Sequence, residues 1–82
     1  MTTYTFEIVL TTDNFTDADA DRLFEHGGGD ATPVTRQDIT RLVFDREAES
    51  LEAAIASATA DTRAADLAIA RIELAAPAQH AG

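Results

Sequence analysis

Two short stretches carry residue types that chemistry uses. "HGGG" at residues 26–29 has the composition of the oxyanion-hole loop of lipases and esterases. That loop works only beside a nucleophilic serine on a G-x-S-x-G elbow, and the chain has no such pentapeptide. Helix termination explains the run better, because glycine enters left-handed backbone without strain. "DADAD" at residues 17–21 spaces carboxylates like the start of a calcium loop. Such a loop needs glycine sixth and glutamate twelfth; those positions hold Arg22 and Gly28.

The remaining reactive groups are isolated. His26 has Glu25 beside it, but adjacent helical residues do not face each other, and His80 lies far away near the C-terminus. Ser50 and Ser57 fit a helix cap and a small helical position, with no histidine at a predictable distance. Tyr4 fits a core, and "NFT" at residues 14–16 is a glycosylation sequon without an export signal beside it. No nucleophile–base pair can be assembled. The expectation is therefore a protein that is not an enzyme, with no catalytic residue, no metal and no cofactor.

What the chain has in quantity is negative charge. Fifteen acidic residues stand against six arginines and no lysine, for a net charge of −9 across 82 residues. Such a surface repels nucleic acid phosphates and anionic lipid heads, so direct nucleic acid or membrane binding is not expected. Two acidic groups stand out. Asp17, Asp19 and Asp21 precede one apolar helical stripe; Asp45, Glu47, Glu49 and Glu52 precede another. Carboxylates near a helix N-terminus are favoured by its dipole, and a solvated helix start accounts for both groups. Their functional reading is one combined acidic docking patch.

The length bounds one domain, expected over residues 1–74. A chain this short buries only about 60–65% of the surface its unfolded form exposes, so its core is thin. Without cysteine it has no disulfide, thiolate nucleophile or cysteine-based zinc site. "MTTYTFEIVL" lacks the basic and long apolar regions of a secretory leader, and no apolar run approaches a membrane span. A soluble cytoplasmic protein is expected.

Periodicity supplies the elements. In "YTFEIVLT", residues 4–11, Tyr4, Phe6, Ile8 and Leu10 alternate with Thr5, Glu7, Val9 and Thr11, which reads as a strand with one buried face. A turn at Asp13-Asn14 leads to a short helix with Thr16 as N-cap, Asp19 closing a capping box, Phe15 stapling against Ala20, and Ala20, Leu23 and Phe24 as its apolar stripe. Residues 31–37 make a poor strand whose Pro33 belongs on an edge. A turn near Gln37-Asp38 joins it to "ITRLVFD", where Thr40, Leu42 and Phe44 oppose Arg41, Val43 and Asp45. Ser50 caps a second helix that puts Leu51, Ala54, Ile55, Ala58, Thr62 and Ala65 on one face, closed near Asp66. "LAIARIEL" is a last strand of mixed pattern, with Ile69 assigned to one face and Ile72 and Leu74 to the other. Residues 75–82 read as a disordered tail.

Strand, helix, strand, strand, helix, strand specifies an α+β fold, the ferredoxin-like βαββαβ sandwich. Two right-handed crossovers give a four-stranded antiparallel sheet with both helices on one face. The other face then shows Glu7, Val9, Arg41 and Val43, with Glu7 placed to pair with Arg41. Such faces are often merely solvated; otherwise the face or a sheet edge is where a partner docks.

The segments "YTFEIVL", "FTDADADRLFEHGGGDATP", "FDREAESLEAAIASATAD" and "ARIEL" together resemble the N-terminal domain of small actinobacterial helix-turn-helix proteins of the excisionase or MerR-like kind. In that family a DNA-reading helix-turn-helix segment follows the last strand; here "AAPAQHAG" stands in its place, so no DNA-contacting residue carries over. The resemblance implies a regulator-associated accessory domain for association or sensing. The leading expectation is a non-enzymatic module for protein–protein association or oligomerisation, with the chain itself (a homodimer) among its partners. Alternatives are a small-molecule sensing domain, whose glycine turn at 27–29 supplies backbone donors, and an acidic nucleic-acid-mimicking inhibitor of a basic protein.

Overall fold

A computed structural model describes residues 2–11 and 15–74. The expected turn at Asp13-Asn14 and the tail at 75–82 lie outside the described residues. The elements are β1 (Thr2–Leu10), α1 (Asp17–Glu25), β2 (Ala31–Arg36), β3 (Ile39–Ala48), α2 (Leu51–Ala64) and β4 (Ile69–Leu74). The strands form one antiparallel sheet in the order β2-β3-β1-β4. This is the ferredoxin-like α+β arrangement, a slab of 36 × 27 × 17 Å.

The two best-patterned strands sit in the middle. Phe6 lies opposite Phe44 and Ile8 opposite Leu42, and the two phenyl rings stack with centroids 5.5 Å apart. Phe6, Ile8, Leu10, Leu42 and Phe44 form one buried cluster with Leu23 of α1 and Ala54 and Ala58 of α2, which places both helices on the same side. The stripe that α2 turns inward is small: Ala54, Ala58 and Thr62 are fully buried. Methyl-sized side chains let the helix approach the sheet closely, and the Thr62 hydroxyl donates to the Ala58 carbonyl at 2.8 Å, so its burial leaves no orphan donor.

Local signals end the helices where the sequence places them. The Thr16 hydroxyl accepts from the Asp19 amide while the Asp19 carboxylate accepts from the Thr16 amide, a complete capping box. Ser50 caps α2 through the Ala53 amide. Past α1, the Gly27 amide donates to Phe24 O and the Gly28 amide to Leu23 O, with Gly27 at φ +100°: a Schellman end. Gly28 also lies against Leu23, where an added Cβ would fall 2.5 Å from the side chain. Past α2, Asp66 takes the left-handed position at φ 66°, and Asp66 and Leu67 close back on Arg63 and Thr62.

Three expectations need correction. Phe24, assigned to the apolar stripe of α1, is 64% exposed; adjacent residues of a helix point about 100° apart, so with Leu23 in the inward position Phe24 turns toward solvent. The third strand does not end at Asp45 but runs on to Ala48. Ile69 and Ile72 do not take opposite faces: both pack on the core. The register shifts between Val9 and Leu10, which pair with Arg71 and Ile69; Ala70 is the extra residue of a β-bulge, and a bulge resets the alternation. By contrast, Gln37 and Asp38 both have positive φ, the geometry of a two-residue hairpin turn. Pro33 lies on the edge strand β2, opposite Leu42. The Asp45 amide bonds to Asp30 O, which by alternation turns the imide nitrogen of Pro33 away from β3.

Candidate functional site

The sheet face away from the helices is built from alternate residues of all four strands. β3 contributes Ile39, Arg41, Val43, Asp45 and Glu47; β1 contributes Thr5, Glu7 and Val9; β2 contributes Thr32, Val34 and Arg36; β4 contributes Arg71 and Glu73. Arg41 lies at its centre. Its Nη1 reaches Glu7 Oε1 at 3.1 Å and Glu73 Oε1 at 2.7 Å, while Arg71 Nε reaches Glu73 Oε2 at 2.6 Å. Two cations and two carboxylates thus form a neutral chain across β3, β1 and β4. The Arg41 hydrogen bond holds the Glu73 carboxyl below its ordinary pKa, with Arg71 adding to the effect, and Glu73 and Glu7 raise that of Arg41.

Of the four residues expected on this face, Glu7 and Arg41 are paired and Val43 is half-buried. Val9 is 2% exposed, flanked in register by Arg41 and Arg71. It supports the face from beneath and offers a partner almost no surface. The exposed apolar surface comes instead from Val34 at 38% and Ile39 at 40%, with Leu74 at 61% at the rim. Together with Arg36, Glu7, Arg41 and Glu73 they border a shallow concavity of about 1030 Å³.

Comparison with family models, with curated proteins and with solved structures finds no match for this chain. Its functional reading rests on its own surface.

Sequence reasoning missed a second constellation, on the covered face. Arg46 is 9% exposed and uses every N–H of its guanidinium. Nε and Nη2 grip the two Asp30 oxygens at 2.8 Å each; Nη1 reaches Asp61 Oδ2 at 2.9 Å and Ser57 Oγ at 3.0 Å; Nη2 also reaches Gly27 O at 2.9 Å. The guanidinium carbon lies 5.1 Å from the Phe44 ring centroid, within cation–π range. One side chain thereby ties β3 to α2 and to the loop after α1. The fork holds Asp30 below the ordinary carboxylate pKa. With all five donors occupied, no donor is left for a ligand, and the cluster reads as structural. The missed signal is the alternation Thr40, Leu42, Phe44, Arg46, Ala48, which continues for two inward positions past the expected strand end.

The two acidic groups are not brought together. β1 pairs Thr2 with Ala48 and Val9 with Arg41, so Asp45, Glu47, Glu49 and Glu52 lie at the end of the sheet where β1 begins. α1 starts at the opposite end: Arg22 reaches Ala65 O and Gly27 lies against Asp61, so the helices run antiparallel and Asp17, Asp19 and Asp21 point beyond the C-terminus of α2. Asp19 is further engaged by the cap, which lowers its pKa, and by Arg22. Asp45 accepts from the Thr5 hydroxyl at 2.6 Å. Two amides of the glycine turn, those of Gly27 and Gly28, are taken up in closing the end of α1. Among the described residues, no group of three or more histidine, aspartate or glutamate side chains is placed to hold a metal, and no helix is long and apolar enough to cross a membrane.

Proposed function

We propose that this chain is a non-enzymatic association module that docks a protein on the uncovered face of its sheet. The observation that supports this reading most is the pairing of exposed Val34 and Ile39 with a charge network already neutralised within the face. Paired charges present less desolvation cost to a partner than free ones, and exposed apolar residues gain by being covered. The split of the carboxylates to two ends of the domain favours this face over a nucleic-acid-like acidic surface.

Val34→Asp combined with Ile39→Asp tests the proposal. Both positions are exposed, so the far-ultraviolet circular dichroism spectrum stays native. Chemical cross-linking in the source cell should then recover no partner, including the chain itself. Undiminished recovery would overturn the reading.

A further inference from the structure

Resting on that association reading, we infer that the occupant of the face is a second copy of this chain, laid sheet to sheet with its strands reversed. The strand residues of the uncovered face carry three of the six arginines, Arg36, Arg41 and Arg71, against four carboxylates, Glu7, Asp45, Glu47 and Glu73. The face is therefore within one charge of neutral, and nearly all of the net −9 resides elsewhere. Two copies repel each other in most approaches; this face is where that repulsion is weakest.

The charges left outside the neutral chain are also self-complementary. Arg36 lies at the hairpin end of the sheet, beside Ile39. Asp45 and Glu47 lie at the other end of β3, opposite Thr5 and Thr3. Ile39 and Asp45 are six residues apart on one strand, roughly 20 Å. A two-fold axis in the sheet plane and across the strands reverses one copy on the other. It sets Arg36 of each over the carboxylate end of its partner, twice by symmetry, as an isologous interface requires. Arg41 then lies near the axis over the partner's Val43 row, and needs no new counter-charge because Glu7 and Glu73 already hold it. Sheets packed this way keep their strands within about 30° of alignment.

Size agrees. A stable interface takes about 800 Å² from each partner, which is within the broad side of a slab 36 × 27 Å across. Sideways strand addition is disfavoured on β2, where Pro33 turns a position without an N–H outward.

Two measurements on the full chain test this. In sedimentation equilibrium up to about 1 mM, the range in which weak complexes fill, the native chain should dimerise. Arg36→Glu should weaken the dimer about tenfold by setting like charges opposite each other. The charge swap Arg36→Glu with Asp45→Arg should recover most of that loss. A native monomer across the range, or a swap no better than Arg36→Glu alone, overturns the inference. A photo-cross-linking amino acid at position 34, expressed in the source cell, separates this inference from the reading beneath it. Adducts of twice the chain mass support both. Adducts with a different protein only overturn the second copy and leave the docking face standing. No adduct from position 34 overturns both.

Discussion

Arg41 and Arg46 belong to one strand, and the pleat of β3 sends them to opposite faces. Arg46 goes under the helices, where desolvation makes any unused N–H costly; it is held by Asp30, Asp61, Ser57 and Gly27 from two other segments. Arg41 goes to the other face, where among the described residues its guanidinium pairs with Glu7 and Glu73, both on strands of the same sheet. The first links layers that would otherwise separate. The second ties together strands that the backbone ladder already joins. Equal chemistry thus has unequal consequences, set by what lies above each guanidinium.

The largest effect expected from this contrast is that of Arg46→Ala. It leaves Asp30 and Asp61 facing each other without a cation and should cost about 2–4 kcal/mol in urea unfolding. A loss as small as that of an ordinary surface substitution would erase the distinction between the two arginines. Arg46→Lys keeps the charge but not the planar fork, and should cost about 1–2 kcal/mol. Acid sharpens the same point. Because the folded state holds Asp30 below its ordinary pKa of 3.8, the unfolded chain takes up the proton first. The stabilisation is complete above the ordinary carboxylate range and is lost as pH falls through that value and on through the folded one. Unfolding free energies of native and Arg46→Ala protein should therefore converge as pH drops below about 4. Smallest is Arg41→Ala, which should move the thermal midpoint by about 2 °C or less, and by nothing measurable in 1 M salt, where exposed pairs are screened. The Arg46→Ala deficit should persist at that salt concentration.

Where one physical rule governed a segment, the sequence was enough. Alternation gave the inward set Phe6, Ile8 and Leu10 of β1. Side-chain oxygens at Thr16 and Ser50 gave both helix starts, and the alanine stripe gave the buried side of α2. The pairing of Glu7 with Arg41 was legible because register follows from the hydrophobic pattern. The misses lie where two rules compete. A charge at an inward strand position looks like a strand end, so the pattern of "ITRLVFD" stops at Asp45 and leaves Arg46 out. Phe24 looks like core until Leu23 takes the only inward place. Ile69 and Ile72 cannot be reconciled by a period of two without the extra residue at Ala70. For the uncovered face the charged residues were readable, whereas the exposure of Val34 and Ile39 and the burial of Val9 depend on which long side chains lie nearby, and no periodicity encodes that.

The slenderness of α2's inner side has a bearing on Arg46 as well. Ser57 and Asp61 come within 3.0 Å of the guanidinium from the helix, while Ala54 and Ala58 fix how far that helix stands off the strands. A leucine at either alanine would act as a shim under a beam. It would lift the ion pair out of reach even though no polar atom had been altered, so tolerance for bulk at positions 54 and 58 is set by the span of one arginine.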